Sequence, residues 1–292
     1  MTDTQQTAPG SSRDSQFSAS STGQPFTASA GLDSHFEMNR PEYEAMCRSV
    51  GLQPGWRVLD AGCGPGGFLP ILADLVGPTG SIAAIDLAPE NAATAEERAR
   101  EWRLPCPVEV RTGSVTALPY PDEAFDAVWC ANTLMYVNDV EMAQALAEMR
   151  RVVRPGGLIA VKETDPSGHC VLPGDPLLDS RFRDARARAS AHGVHGMRAR
   201  ATYHWLKDAG LVDVRQRLVP IERFAPFDRA TEEGFKWAFR LFAQQASELP
   251  DLSEADQAAW RALGNPDSAD NPFNSPDAYS CESNILAAGR VP

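Results

Sequence analysis

Residues 57–164 alternate between short apolar runs and segments of helical periodicity. The apolar runs read RVLDAG, SIAAID, VEVRTGS, FDAVWCAN and LIAVKET, and the helical patterns include FLPILADLV, NAATAEERAREW and EMAQALAEMRRVV. Strands and helices that alternate in this way form a parallel sheet with helices on both faces. We therefore predict an α/β fold with a doubly wound, Rossmann-like sheet.

Later segments extend the predicted sheet to seven strands. YHWLKDAGLVDVRQRLVP predicts a helix, a glycine stop and a strand, and SCESNILAAGR predicts a last strand that is antiparallel to the one before it. Residues from about 166 to 204 and from about 228 to 278 interrupt the pattern. We expect these two segments to form helical cap insertions.

The amino-terminal region has a different composition. Residues 1–35 are rich in Ser, Thr, Gln and Gly, which predicts a disordered tail ahead of one domain over residues 36–292. Residues 41–50, PEYEAMCRSV, predict a helix with proline in its first turn. Neither a signal-peptide pattern nor a long apolar run is visible, so we expect a cytoplasmic protein without a membrane partner.

Charge and cysteine usage restrict the partners. The formal net charge of -12 would repel a phosphate backbone, which favours a small-molecule partner over nucleic acid. The six cysteines are scattered singly without a CxxC pair. This distribution argues against zinc and against a disulfide framework, and we predict no metal site.

The glycine turn after the first strand, AGCGPGG, is the main functional motif. Gly62, Gly64 and Gly67 have the GxGxxG spacing of a nicotinamide-binding loop, whereas Gly62, Gly64 and Gly66 satisfy a tighter GxGxG. The turn is expected at the carboxyl edge of the sheet, where ligands bind in open α/β folds. The glycines alone leave the identity of the cofactor open.

Neighbouring acids narrow the choice. Asp86 ends the second predicted strand, where an acid accepts hydrogen bonds from the ribose of any adenosine cofactor. Asp60 places a negative charge just before the glycines, and Pro65 removes a backbone donor from the loop. Both features favour a cationic ligand over a pyrophosphate.

Four segments, VLDAGCGPGG, AIDLAPE, AFDAVWCANTLMYV and RVVRPGGLIAV, resemble the successive motifs of class I S-adenosylmethionine-dependent methyltransferases. The resemblance covers about residues 40–165 and the later DAGLVDV and NILAAGR segments. It implies S-adenosylmethionine as the cofactor, with Asp60 near the methionine amino group, Asp86 at the ribose and Leu87 against the adenine. It also implies that the backbone lines the methionine moiety at Ala61, Gly62, Cys63 and Gly64.

The same resemblance implies further cofactor contacts. Many members end the third strand in Gly-Asp-Ala, whose aspartate binds the adenine amine, whereas this chain has Gly113, Ser114 and Val115. A serine hydroxyl still accepts that hydrogen bond, but without the charge. Asn132 and Met135 follow the fourth strand, where the family places residues beside the sulfonium and the acceptor.

Arg40 has two open interpretations. It lies just ahead of the predicted first helix, where it would reach the cofactor carboxylate if that segment closes as a lid, or it is simply solvated.

Methyl transfer relies mainly on positioning and a water-poor pocket, and a general base is needed only for some acceptors. Our candidate catalytic residues at sheet ends or in the insertions are Glu163, Asp165 and His195. His169, His192 and His204 are weaker candidates, because a single histidine is more often an ordinary polar residue.

The two insertions offer candidate acceptor contacts. Phe235, Phe239 and Phe242 form an aromatic stripe with Trp237 nearby, which is either core or the roof of an acceptor pocket. We predict acceptor contacts at Tyr136, Phe235, Trp237 and Phe239. The first insertion, RFRDARARASAHGVHGMRAR, is rich in arginine, which either recognises an anionic group or pairs with surface acids.

We therefore predict an S-adenosylmethionine-dependent methyltransferase that transfers a methyl group to oxygen or nitrogen, or alternatively to carbon, of a small molecule in biosynthetic tailoring of secondary metabolites. Two alternatives stay open. A nicotinamide-dependent oxidoreductase matches the formal GxGxxG, and a non-catalytic subunit that binds the methyl donor would account for Ser114 and for the missing evident base.

Overall fold

The computed structural model describes residues 20–23 and 26–292. Its strands form one sheet in the order β3-β2-β1-β4-β5-β7-β6, and β7 runs antiparallel to both β5 and β6, whereas the other pairs are parallel. The strands are β1 Arg57–Ala61, β2 Ser81–Asp86, β3 Val108–Thr112, β4 Phe125–Ala131, β5 Val153–Leu172, β6 Val212–Phe224 and β7 Tyr279–Arg290. The predicted seven-stranded, doubly wound sheet is confirmed.

Helices follow the strands and cover both faces of the sheet. They are α1 Ser29–Ser49, α2 Leu69–Val76, α3 Pro89–Glu101, α4 Asp139–Val152, α5 Leu178–Ala189, α6 Ala191–His195, α7 Thr202–Asp208, α8 Arg229–Glu248 and α9 Glu254–Leu263. Short 3-10 turns span Leu134–Tyr136, Gly196–Ala201 and Pro272–Asn274.

The alternation of side chains along β1 explains the two-faced packing. Val58 belongs to an apolar cluster with Leu72 of α2, whereas its neighbour Leu59 belongs to a cluster with Met149 of α4 and Leu206 of α7. Successive side chains of a strand point to opposite faces, and a strand that is buried on both faces is a continuous apolar run. This is the pattern that RVLDAG and FDAVWCAN show.

Helix α1 begins earlier than predicted. The sequence places a tail through residue 35 and a helix start at Pro41, but the helix begins at Ser29 and Pro41 lies inside it. Tertiary contacts outweigh the polar local composition, because Asp33 of this segment pairs with Arg98 of α3 at 2.7 Å. Residues 1–19 and 24–25 lie outside the described part of the chain, so the predicted tail stays a prediction there.

The cap insertions form one helical layer above the carboxyl edge of the sheet. Helices α5, α8 and α9 share an apolar cluster that includes Phe182, Phe239 and Trp260. Strand β5 continues to Leu172 and pairs with β7 there, so the first insertion begins later than the predicted residue 166. The second insertion, from α8 to the start of β7, lies close to the predicted bounds.

Candidate functional site

The glycine turn after β1 forms one wall of a cavity at the carboxyl edge of β1, β2 and β4, which we call the edge cavity. Gly62 and Gly64 adopt φ angles of +84° and +53°, a region that favours glycine. A side chain at Gly62 would overlap the side chain of Thr133. The backbone of the turn therefore lies close to the cavity, as a ligand-binding loop requires.

Asp86 holds this turn in place. Its Oδ2 accepts a hydrogen bond from the Gly64 N–H at 2.8 Å, and its Oδ1 accepts one from the Ala88 N–H at 2.9 Å. Burial raises the pKa of the Asp86 carboxyl, although these two donors stabilise its ionised form. The carboxylate is thus fixed in the wall of the edge cavity, with lone pairs left for a ligand hydroxyl.

Asp60 is a buried acid that forms no ion pair with the described residues. Its side chain is 1% exposed, and Oδ2 has no hydrogen-bond partner among the described residues. Burial, with a smaller contribution from Asp86, raises the pKa of its carboxyl to about 8. An acid in this state gains stability from a nearby cation, so it fits a ligand that carries an ammonium group.

Most of the predicted cofactor residues lie together on the edge cavity. Those that line it are Gly62, Cys63, Gly64, Asp86, Leu87, Gly113, Ser114, Val115 and Asn132. Among the described residues, Asp60 and Ala61 lie behind this lining, and Met135 lines a second cavity instead.

In the structure, Arg40 lies in helix α1 and away from the edge cavity, and its contact with the cofactor stays a prediction. Its guanidinium donates to Glu37 and lies 5.0 Å from the centre of the Phe36 ring, outside the lining of the edge cavity. The physical reason is the early start of α1, which places Arg40 in the middle of a helix rather than in a segment ahead of it.

A second cavity lies under the cap helices, and we call it the cap cavity. All four predicted acceptor residues, Tyr136, Phe235, Trp237 and Phe239, line it. The edge and cap cavities meet, because both are lined by Leu32, His35, Asn132 and Tyr136. The roof interpretation of the aromatic stripe therefore fits the geometry, while Phe235 and Phe239 also contribute to the cap core.

His35 and Glu282 form a polar pair where the two cavities meet. His35 Nε2 lies 3.3 Å from Glu282 Oε2, and His35 Nδ1 lies 3.4 Å from the Tyr43 hydroxyl. Burial raises the pKa of Glu282, but His35 and then Lys162 outweigh it and hold the pKa at about 2. Glu282 is therefore an anion at neutral pH that orients and stabilises the imidazole.

Lys162 is buried next to the residues where the edge and cap cavities meet. Its buried Nζ donates to Asn132 Oδ1 at 2.9 Å and lies 3.9 Å from the centre of the Tyr43 ring. Burial lowers the pKa of this ammonium to about 7, against the effects of Glu282 and Glu163. Asn132 also accepts from the Thr164 N–H, and these contacts hold it at a φ of +52°.

Glu163 is not among the residues that line either cavity, and its buried Oε2 has no hydrogen-bond partner among the described residues, so its catalytic role stays a prediction. Its Oε1 accepts from the backbone N–H groups of Thr133 at 3.1 Å and Leu134 at 2.9 Å. Burial raises the pKa of this carboxyl to about 7. Glu163 therefore fixes the turn after β4, between Asn132 and Tyr136.

Asp165 and His195 are also away from the described cavity linings. Asp165 is fully buried and accepts from Ser167 Oγ at 2.6 Å and Arg200 Nε at 2.7 Å. Burial raises the pKa of Asp165, but Ser167 and Arg200 outweigh it and lower the pKa. It is a structural carboxylate, and His195 ends the short helix α6.

The remaining candidate histidines have different surroundings. His169 lines the cap cavity, where its Nδ1 lies 3.0 Å from Asp179 Oδ1, whereas His204 packs against Tyr203 on α7. The His192 side chain lies outside the described part of the chain. His35 was missed because it falls at the end of the predicted tail, and no local pattern marks it.

Neither a metal-ligand cluster nor a membrane span is found in residues 20–23 and 26–292. Within these ranges, no three His, Cys, Asp or Glu side chains come together as ligands for a metal ion. No helix there is both long enough and apolar enough to span a bilayer.

Several known proteins similar to this chain are methyltransferases. A family model described as a methyltransferase domain matches residues 58–157. An uncharacterized methyltransferase of Schizosaccharomyces pombe is 30% identical over 212 residues, 71% of this chain and 73% of that protein. A demethylmenaquinone methyltransferase of Alkalihalophilus pseudofirmus is 28% identical over 196 residues, 66% of this chain and 79% of that protein. A solved SAM-dependent methyltransferase from Aquifex aeolicus is 27% identical, with a TM-score of 0.50 over 65% of this chain and 89% of that one.

Proposed function

The chain belongs to the class I S-adenosylmethionine-dependent methyltransferases, and on that premise we propose that it methylates an oxygen or nitrogen atom of a small aromatic molecule held in the cap cavity. The predicted family, enzyme class and methyl donor are confirmed by this membership. The nicotinamide oxidoreductase alternative is set aside by it. We further propose that this is a biosynthetic tailoring step and that it takes place in the cytoplasm. The singly placed, unpaired cysteines support the cytoplasmic location.

One observation carries the proposal: Leu32, His35, Asn132 and Tyr136 line both cavities. A donor in the edge cavity and an acceptor in the cap cavity would therefore meet across these four side chains. Methyl transfer needs the two reacting atoms in line and in contact, and a shared boundary between two binding cavities provides that arrangement.

The walls of the cap cavity favour a planar, aromatic acceptor. Phe235, Trp237, Phe239 and Phe242 line it, and the His169 ring lies 5.6 Å from the Phe239 ring centre. Aromatic walls bind planar rings through apolar contact and edge-to-face packing. One relative is named for demethylmenaquinone, which supports a small-molecule acceptor in this chain too.

The edge cavity fits the methyl donor. S-adenosylmethionine supplies, when bound, a methyl group activated by its positively charged sulfur. The backbone of Gly62 and Gly64 would follow the methionine portion, and the Asp60 carboxyl behind it would stabilise the ammonium. Asp86 would accept a ribose hydroxyl, and Ser114 would face the adenine.

His35 is suited to take up the proton of a hydroxyl or ammonium acceptor. With the His35 Nε2–H donated to Glu282 Oε2, the Nδ1 lone pair faces the Tyr43 hydroxyl at 3.4 Å, and Nδ1 would receive the proton when the acceptor replaces that contact. The Glu282 carboxylate then stabilises the imidazolium that forms. This is the arrangement of a general base oriented by a buried acid.

Donor binding is tested first, by titration calorimetry with S-adenosylhomocysteine. We expect micromolar affinity, with no binding of NADH as the control ligand. Asp86→Ala should weaken S-adenosylhomocysteine binding about 10-fold to 100-fold, because it removes a hydrogen bond to a charged group. Unchanged affinity in this variant would contradict the proposed role of Asp86.

Acceptor binding is tested next, with a panel of phenols and aromatic amines and a radiolabelled methyl donor. Phe239→Ala should raise at least about 10-fold the KM of an acceptor that is turned over, because the loss of an aromatic contact costs about 1 kcal/mol or more. The affinity of this variant for S-adenosylhomocysteine should stay within about twofold of that of the original chain. Phe224→Ala, at an exposed aromatic position, is the matched control. A higher Kd for S-adenosylhomocysteine with an unchanged acceptor KM would contradict the assignment of the cap cavity.

A further inference from the structure

The arginines of the first insertion leave one positive charge without a partner. Residues 181–200 contain six arginines, and five of them form ion pairs with aspartates. The pairs are Arg181 with Asp175 and Asp256, Arg183 with Asp179, Arg188 with Asp184 and Asp251, Arg198 with Asp139, and Arg200 with Asp165. For these five, surface or internal pairing is the correct interpretation.

Arg186 is the exception. It lines the cap cavity, and within residues 20–23 and 26–292 its side chain makes neither an ion pair nor a hydrogen bond. Its guanidinium lies 5.5 Å from the centre of the Phe182 ring and 5.7 Å from that of Phe26. Aromatic faces attract a cation but leave its N–H groups unsatisfied.

Burial makes this lone cation costly. Desolvation, and then Arg183, lower the pKa of the Arg186 guanidinium to about 10, whereas Tyr136 and Asp179 oppose this to a smaller extent, so the group is still protonated at neutral pH. A charge that is partly shielded from water and has no ion pair is unfavourable. An anion entering the cap cavity would remove that penalty and gain charge-assisted hydrogen bonds.

The other charges that line the cap cavity are already compensated. Glu282 faces His35 and, more deeply, Lys162. His169 and Arg183 share Asp179, and Arg223 pairs with Glu42 at 2.8 Å. Among the described lining residues, a single positive charge is therefore left. One uncompensated charge matches a carboxylate monoanion better than a phosphate dianion.

We propose that Arg186 binds a carboxylate of the acceptor, so that the substrate class is an aromatic carboxylic acid whose hydroxyl or amino group is methylated. This inference rests on the proposed function. The planar guanidinium fork matches a carboxylate bidentately, and the aromatic walls hold the ring. Arg186 lines only the cap cavity, whereas His35 lines both cavities, so the carboxylate and the methylated atom have separate contacts.

The test measures binding directly and does not depend on turnover of the true acceptor. Protein saturated with S-adenosylhomocysteine is titrated with a panel of hydroxybenzoates and hydroxycinnamates, each beside its methyl ester. At least one acid should bind 10-fold or more tightly than its ester. Arg186→Gln should reduce the affinity for that acid to the level of the ester, and Arg186→Lys should retain part of the preference.

Arg188→Gln is the matched control, because Arg188 lies on the same helix and pairs with Asp184 on the outside. It should leave the affinity for the acid unchanged. The proposal is overturned if acids and esters bind alike, if no acid binds, if Arg186→Gln weakens acid and ester equally, or if phenyl phosphate binds more tightly than every acid. The affinity for S-adenosylhomocysteine is measured separately on each variant and reports folding and the donor site. Loss of this affinity would indicate a failure of the proposed function, whereas normal affinity without a preference for acids would indicate a failure of the carboxylate proposal alone.

Discussion

Replacing Asp60 by asparagine removes a buried acid whose ionisation the fold opposes. In the folded chain without ligand, the pKa of this carboxyl is about 8, against an ordinary value of 3.8. Between these two values the unfolded chain ionises Asp60 while the folded chain keeps it protonated. The free energy of unfolding contributed by this group is therefore highest below pH 3.8 and falls as the pH rises toward 8.

The size of the effect follows from linkage. Each pH unit between the two pKa values costs about 1.4 kcal/mol of unfolding free energy. Relative to Asp60→Asn, the original chain should therefore lose about 3 kcal/mol between pH 5 and pH 7. This difference does not depend on the exact folded pKa, provided that it lies above 7.

Urea unfolding at pH 5, 6 and 7, followed by tryptophan fluorescence, measures this difference. Asp74→Asn is the control, because Asp74 is exposed and pairs with Arg48 on the surface. It should change the free energy of unfolding by less than about 1 kcal/mol at each pH. Parallel pH dependences for the original chain and Asp60→Asn would refute the reasoning, since they would show that the carboxyl ionises normally in the fold.

The same carboxyl should report on donor binding. If the ammonium of S-adenosylhomocysteine lies near Asp60, binding favours the ionised form and releases a proton at pH 7. Calorimetry in phosphate and Tris, which differ in ionisation enthalpy, counts that proton. Release by the original chain and none by Asp60→Asn is the expected result, and equal release by both would place the ammonium elsewhere.

Three further changes have separate expected outcomes. Gly62→Ala should weaken S-adenosylhomocysteine binding at least 10-fold and cost about 1–3 kcal/mol of unfolding free energy, because φ is +84° and a side chain there overlaps Thr133. Calorimetry measures the affinity and urea unfolding measures the stability. An unaltered affinity would contradict this prediction. For Glu282, the folded pKa of about 2 lies below the ordinary 4.5, so its stabilising effect is present above pH 4.5. Relative to Glu282→Gln, the original chain should lose about 3 kcal/mol of unfolding free energy as the pH falls toward 2. Equal acid unfolding curves would argue against the buried pair with His35. His35→Gln should lower kcat for a hydroxyl acceptor about 100-fold or more while the affinity for S-adenosylhomocysteine stays within about twofold, and an unchanged kcat with an unchanged pH profile would remove the base from the mechanism.

The sheet and the donor half of the site could be predicted because their signals are local. Strand β1, the glycine turn and the start of α2 are consecutive, so one stretch of sequence contains the apolar run, the glycines and the adjoining acids. Asp86 is equally local, since it ends the next strand and bonds back to the turn through Gly64. Ligand proximity in such an arrangement follows from chain order alone.

The surroundings of the predicted catalytic residues depend on contacts that the sequence does not display. Glu163 and Asp165 are polar residues at the end of a strand that faces the site, which made them plausible. In the structure, Glu163 Oε1 accepts from the backbone of Thr133 and Leu134, Glu163 Oε2 has no partner among the described residues, and Asp165 accepts from Arg200. Which partners satisfy a buried acid depends on tertiary neighbours, and alternation along a strand does not identify them.

The proposed acceptor half of the site is assembled from segments that are far apart in the chain. His35 lies in α1 and its partner Glu282 in β7, 247 residues later, and Trp237 of α8 packs against Gly31 of α1. Each residue alone is an ordinary polar or aromatic side chain, and only the docking of α1 under the cap makes them a site. The early turns of α1 are therefore where a change should alter acceptor binding most, and because Leu32 and His35 line both cavities, donor binding should change with it.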